Sequence, residues 1–300
     1  MHVQTLSTLT PDAVPLKLAL SAFGLSKSTL FYSPKPRVYK KSVKPLDPTL
    51  KRLLLGLSGY ELTLGYDKVT TYLNTTYGYK FNKKKVYRHM KRLKLLQPKH
   101  IKRPKSLPNR GNVPYYCAIK SNVRWEADLT FVKYRNEHMY LFSVIDVFDR
   151  ELIGHWLGFR CRAVEAVNAL EHAVRSRFSD GVVPEDLLLT IRLDRGSQFT
   201  ASDFGKSARK LNLKMEFCDV MAPNQKPFIE SFFANFKREE VYRSEYFNPL
   251  DVFKAWANYV SWYNSKRPHS SLKNLSPHQF RQLNLSLSSF SHNLVQIHRG

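Results

Sequence analysis

WEADLTFVKYRNEHMYLFSVIDVFDRELIGHWLGF, residues 125–159, holds three apolar stretches separated by polar breaks. WEADLTFVKY (125–134) alternates and reads as a strand with Asp128 in its middle. HMYLFSVIDVF (138–148) and ELIGHWLGF (151–159) read as two more, joined at a tight Asp149-Arg150 turn, so the block opens as a meander. The rhythm then changes. AVEAVNALEHAVRSRF (163–178) sets Val164, Val167, Leu170 and Val174 along one helical face. LLLTIRL (187–193) is a buried-type strand ending at Asp194, ASDFGKSARKL (201–211) a helix, and LKMEFCDV (213–220) a fifth strand. PFIESFFANFKREEVYR (227–243) is a helix with Pro227 suited to its first turn. Three meandering strands followed by α/β alternation predict an α/β fold: a mixed five-stranded sheet flanked by helices.

Ligands of such sheets gather near the carboxyl ends of strands. Asp128 lies on the first strand, Asp194 ends the fourth, and Glu230 opens the helix after the fifth. Three carboxylates that converge there repel unless a divalent cation sits between them. Mg²⁺ suits the set, being a hard ion that takes oxygen ligands and shares its shell with substrate phosphates. Two such ions, about 3.5–4 Å apart, activate an attacking hydroxyl and stabilise a leaving oxygen. A turn or cap role stays open for each carboxylate taken singly, and Asp146, Asp149 and Asp203 read as turn or cap residues.

The charge is unevenly spread. The 300 residues carry a net +24, yet residues 1–124 hold 25 basic and 4 acidic side chains, against 23 and 20 in residues 125–300. A nearly neutral block thus carries a strongly cationic arm, which points to a polyanion partner. No run of 18 apolar residues exists, so no membrane partner is expected. The N-terminus lacks the basic-then-apolar pattern of a secretory signal. Cys117, Cys161 and Cys218 form no C-x-x-C and read as reduced thiols of a cytoplasmic protein.

Within the arm, AVPLKLALSAFGLSKSTLFY (13–32) reads as a helix stopped at Gly24 and a short one started after Ser26. YDKVTTYLNTTY (66–77) places Val69, Tyr72, Leu73 and Tyr77 on one face, and Asn82 caps a helix with body KKKVYRHMKRLKLL. There Val86, Met90 and Leu93 point inward, leaving Lys83, Lys84, Arg88, Lys91 and Arg92 outside. A helix packed on one side and cationic on the other fits a DNA major groove; a lysine-rich solvated surface is the plainer alternative. Pro/Lys-rich connectors, 33–48 and 97–110, join these modules.

WEADLTF, YLFSVIDVFDRELIGHW, LDRGSQFT, FIESFFANFKRE and YNSKRPHSSLKNLSPHQF, in this order, resemble the integrase-type catalytic core of bacterial insertion-sequence transposases, specifically the second-frame (orfB-like) branch similar to retroviral integrases. LGYDKVTTYLNTTYGYKFNKKKVYRHMKRLKLL resembles the helix-turn-helix ahead of that core. The resemblance implies an RNase H-like core preceded by all-α helix-turn-helix modules. It divides the chain into a helix-turn-helix-like segment (1–35), a basic linker (36–48), a second helix-turn-helix (49–98), a linker (99–120), the core (121–245), a helical extension (246–285) and a tail (286–300). It places the acidic triad on Asp128, Asp194 and Glu230, the last two separated by 35 residues, and a DNA-contacting lysine on Lys237.

The activity so implied is that of a DDE transposase. Activated water nicks the element's end and the freed 3′-hydroxyl attacks target DNA, with two Mg²⁺ ions (Mn²⁺ as substitute) held by the triad. Double-stranded DNA is the partner, as terminal inverted repeats and target. At least a dimer forms on it, and the protein is cytoplasmic and bacterial, on the nucleoid when bound to DNA. Two rival readings are an RNase H-like nuclease without strand transfer and a non-catalytic DNA-binding regulator derived from a transposase. Two departures from the family pattern stand out: Arg192-Leu193 where His-Ser is frequent, and Lys226-Pro227-Phe228 where Asp-Asn-Ala is frequent. Asn264, Arg267, Pro268 and His269 match the family's C-terminal word and read as structural. Phe253, Ala257, Val260 and Tyr263 mark the inward face of the helix before it.

Overall fold

The computed structural model describes residues 16–33, 45–98, 118–219 and 225–297, with side chains of the last helix described to residue 287. Most of both expected linkers, Cys117 and the start of the first helical segment lie outside the described residues. The chain divides into two compact units, Met1–Pro45 and Leu46–Gly300. In the first, α1 (Leu16–Ala22) stops at Gly24, whose φ of +62° is the left-handed conformation that glycine tolerates. Ser26 then caps α2 (Lys27–Leu30), its hydroxyl accepting from the Thr29 N–H.

The second unit opens with a three-helix module. Asp47 caps α3 (Pro48–Leu55) by accepting from the Leu50 N–H at 3.0 Å, and Pro48 fills the first turn. After a 3₁₀ turn, Gly59–Thr63, comes α4 (Tyr66–Tyr77), ended by Gly78 in the left-handed region. Asn74 fixes the next turn by bonding both the N–H and the carbonyl of Phe81. Asn82 caps α5 (Lys83–Arg92) through the Lys84 N–H at 2.8 Å. Val69, Leu73, Val86 and Met90 are buried together, and Tyr72 joins them at the edge. Tyr77, expected on that face, is the last residue of α4 and is 51% exposed. Leu93 is half-buried.

The sheet has order β3-β2-β1-β4-β5. Strands β1 (Arg124–Tyr134), β2 (Glu137–Asp146) and β3 (Leu152–Gly158) pair antiparallel, while β4 (Thr190–Leu193) lies parallel to β1 and β5 (Lys214–Phe217) parallel to β4. This is the RNase H-like mixed sheet. Strand β4 is shorter than its apolar run: a turn closes between Pro184 and Leu187, and Leu188 is 83% exposed.

Period-two alternation gives each face its own core. Trp125, Ala127, Phe142, Val144 and Ile153 pack against α6 (Ala163–Arg177) and the pair α7 (Ser197–Thr200) and α8 (Ser202–Lys210). Gly154 makes that layer possible: a Cβ there would meet the Ala169 carbonyl at 2.4 Å and the Ala173 Cβ at 2.5 Å. Val132, Met139, Leu141, Leu152 and Leu157 pack on the other face with α9 (Pro227–Glu239) and α10 (Pro249–Ser265). Val252, Trp256, Tyr259, Trp262 and Tyr263 are the buried positions of α10. The expected face holds at its end, where Tyr263 is buried and Val260 packs half-buried on the core, and fails at its start, where Phe253 and Ala257 are exposed and Val252 and Trp256 are buried instead. Both stripes are apolar in sequence, and the packing partners select between them.

The same core continues into the three-helix module. Tyr60 stacks on Trp262 and meets Tyr259 edge-on, with ring centroids 5.9 and 5.5 Å apart, and its hydroxyl donates to the Ala255 carbonyl. The C-terminal word closes the structure. Asn264 bonds both backbone groups of Leu152 on β3, and Arg267 is buried against Glu239 of α9. Helix α11 (Pro277–Ile297) follows. No helix among the described residues is long and apolar enough to cross a membrane.

Candidate active site

Asp128 stands in mid-β1 opposite Ser143, where the sheet fixes its backbone. Asp194 is the first residue past β4, and its Oδ1 accepts from the Gly196 N–H at 2.9 Å. Gly196 has an ordinary negative φ; a Cβ there would lie 2.9 Å from Asp194 Oδ1 and push the Gln198 side chain aside. Leu193 is fully buried in the sheet's core, so the position where the family frequently has serine serves packing here.

The two aspartates converge on one positive charge. Lys226 Nζ lies 3.1 Å from Asp128 Oδ1 and 3.5 Å from Asp194 Oδ2, and it donates to the Ala127 carbonyl at 3.3 Å. Burial pushes the Asp128 carboxyl above its ordinary range; the Lys226 charge and the Leu129 N–H offset part of this, and Asp194 adds to it.

Lys226 is itself held from behind. Arg192 Nη1 donates to the Gln225 carbonyl at 2.8 Å while its Nη2 pairs with Glu216. Gln225 in turn exchanges two hydrogen bonds with Asp219, at 2.8 and 2.7 Å. The two departures from the family pattern are therefore one linked arrangement.

Glu230 is exposed on the first turn of α9, one turn from Lys226. Among the described residues no three His, Cys, Asp or Glu side chains are grouped so as to hold a metal ion. The structure thus brings Asp128 and Asp194 together and leaves Glu230 outside a closed three-carboxylate cluster. A further carboxylate aims this helix. Glu126 Oε2 accepts the N–H groups of both Phe228 and Ile229 at 3.0 Å, satisfying two of the unpaired donors at the helix start. Burial raises the Glu126 carboxyl to about 7 against the pull of those two bonds. Glu126 was readable only as a residue two before Asp128, on the same face of the strand. Lys226 carried no signal beyond its difference from the family pattern.

The expected DNA-facing cations are outside. Lys83, Lys84, Arg88, Lys91 and Arg92 are exposed on α5, with Lys83 paired to Asp67. Lys85 turns back instead to Asp47, at 2.6 Å. On α9, Lys237 Nζ rests 5.6 Å from the ring centre of Phe131. Asp146 and Asp149 do serve turns: Asp146 accepts from Phe148 and Asn122, and Asp149 accepts from Glu151 and pairs with Arg177.

A mixed sheet of this order, with Asp128 on its first strand and Asp194 just past its fourth, is the arrangement expected of an integrase-type core. Residues 119–223 match the integrase core domain family, and residues 211–277 match a second family of the same description. A protein of insertion element IS136 from Agrobacterium fabrum is 30% identical over 190 residues, covering 62% of this chain and 94% of that protein. The transposase InsF of insertion sequence IS3A from Escherichia coli is 30% identical over 173 residues, or 57% of this chain and 58% of its own length. A chain of the simian T-cell lymphotropic virus intasome in complex with PP2A regulatory subunit B56 gamma superposes with a TM-score of 0.48 at 18% identity, over 77% of this chain and 74% of that one. The chain belongs to the insertion-sequence transposases with an integrase catalytic core, enzymes that act on DNA.

Proposed function

We propose that Asp128, Asp194 and Glu230 form the metal-binding and catalytic triad of this transposase, and that it cleaves the element's ends and joins them to target DNA. The observation that carries the reading is the convergence of Asp128 and Asp194 on a single cationic centre. Two carboxylates aimed at one positive charge are a donor set that fits Mg²⁺ or Mn²⁺. We take Glu230 as the third donor because its helix starts from a point pinned by Glu126 to the strand of Asp128. When bound, a pair of such ions activates the attacking oxygen and stabilises the leaving one.

The chain's own residues do the rest. Sheet pairing fixes Asp128, the Gly196 N–H orients Asp194, and Lys237 offers a cation on the outer turns of α9. The exposed face of α5, Lys83, Lys84, Arg88, Lys91 and Arg92, binds the terminal inverted repeats in their major groove. Two ends must be joined at once, so at least two copies act together on DNA.

The test uses the full chain with a duplex carrying a pre-nicked 3′ end. Wild type is expected to give joined product, and Asp194→Asn to lose it by about a hundredfold to a thousandfold while still binding the duplex. Cleavage without joining would instead favour a simple nuclease. Equal activity of the two proteins would overturn the site.

A further inference from the structure

Lys226 fills the place that the proposed triad would give to a metal ion. Its ammonium has three N–H donors, and three acceptors surround it: Asp128 Oδ1, Asp194 Oδ2 and the Ala127 carbonyl. The side chain is 7% exposed, so water does not share the task. Its backbone is fixed on both sides, by Arg192 through the Gln225 carbonyl and by Pro227 opening α9. A lysine on a surface loop makes such contacts in passing; a buried one whose donors are all used makes them as a built arrangement.

We propose that Lys226 is the resident cation of the acidic pair: it holds Asp128 and Asp194 together and competes with a divalent ion for them. This rests on the metal-binding reading of the pair given above. The competition is steric and electrostatic. A metal–oxygen distance of about 2.1 Å leaves no room for an ammonium between the same two oxygens. A divalent ion arriving beside a fixed positive charge also binds more weakly. Lysine suits a displaceable role, since its four-carbon stem lets the head group swing away while the backbone stays in place. The chemical class that offers the released ammonium a new partner is the phosphodiester, the substrate of the reaction itself.

The experiment measures Mn²⁺ binding to the full chain by the electron paramagnetic resonance signal of free Mn²⁺, without DNA. Lys226→Met and Lys226→Gln are expected to bind Mn²⁺ at least about tenfold more tightly than wild type, the scale on which a neighbouring charge shifts an ionic equilibrium. Lys226→Arg keeps the charge and is expected to bind as weakly as wild type. Without metal, Lys226→Met is expected to melt below wild type, because the aspartates repel, and to gain more than wild type when Mn²⁺ is added. If one neutral variant fails to fold, the other and the melting shift give the answer. Neutral variants that bind no more tightly than wild type overturn the proposal. Should Asp194→Asn bind Mn²⁺ as well as wild type, the metal reading fails first. Should Asp194→Asn lose binding while Lys226→Met matches wild type, only the role of Lys226 fails.

Discussion

Arg267 meets Glu239 through two parallel hydrogen bonds, Nε to Oε2 and Nη2 to Oε1, both 2.7 Å, with both side chains almost wholly buried. Burial acts to raise the Glu239 carboxyl, but Arg267 and Arg238 hold it below its ordinary value. The pair fastens the end of α9 to the chain after α10. Replacing Arg267 leaves the buried Glu239 charge with the half-exposed Arg238, 2.8 Å away, as its remaining ion-pair partner. Arg267→Met is therefore expected to cost about 3 kcal/mol in chemical denaturation, the low end for breaking a buried pair, because Arg238 still faces Glu239. The double variant with Glu239→Gln is expected to recover part of that loss, and a double variant no better than the single would contradict the account.

Gly154 predicts a second, purely steric effect. Gly154→Ala drives a methyl group into the Ala169 carbonyl and the Ala173 side chain. The β3–α6 contact must open, at a cost of about 1–3 kcal/mol or more. Val144, the pairing neighbour of Gly154 on β2, provides the control: Val144→Ile enlarges the same layer elsewhere and is expected to be milder. A melting temperature for Gly154→Ala equal to wild type would refute the close approach.

His155 predicts a pH response. Its Nδ1 accepts from the Trp256 indole at 3.1 Å, which requires the neutral ring, and burial lowers its pKa to about 4, with His172 adding to the shift. An unfolded histidine titrates near 6.5. The unfolded chain therefore binds the extra proton first as pH falls. The contribution is fully present above about 6.5 and is lost progressively towards pH 4, by up to about 3 kcal/mol. Melting temperatures of His155→Gln and wild type between pH 7.5 and 4.5 check this. The variant should show the shallower decline, and parallel curves would count against the assignment.

The cationic face of α5 predicts salt dependence. Full-chain binding to an element-end duplex is expected to weaken steeply as salt rises. Substituting Lys84, Arg88, Lys91 or Arg92 by alanine should reduce the log–log slope by about 0.9 for each phosphate that is no longer neutralised. Unchanged slopes in all four variants would place the DNA elsewhere. Intact protein is the right material, because α3–α5 share their core with α10.

Much of this architecture is legible from local pattern. The strands β1 to β3 show through because each alternates over several residues. Helix α4 shows through because its last residue abuts a glycine, and Asn82 announces α5 by its type alone. What escaped depends on distant packing. The Leu187–Leu189 run says nothing of the turn that cuts β4 short, and the two apolar stripes of α10 are resolved only by Tyr60, Phe236 and the sheet. At the candidate site, Asp128, Asp194 and Glu230 were readable as a spaced set. Lys226 and Glu126 were not, because nothing local requires a lysine to fold back over the sheet or a glutamate to cap a helix about 100 residues further on.

The aromatic joint of Tyr60 with Tyr259 and Trp262 has a metrical consequence. It packs the module carrying α5 onto the body carrying Asp128 through one continuous core. If α5 grips DNA and the Asp128 site breaks it, as proposed above, the molecule works as a caliper. The number of base pairs between the gripped sequence and the severed bond is then a property of the folded chain, fixed before any DNA arrives.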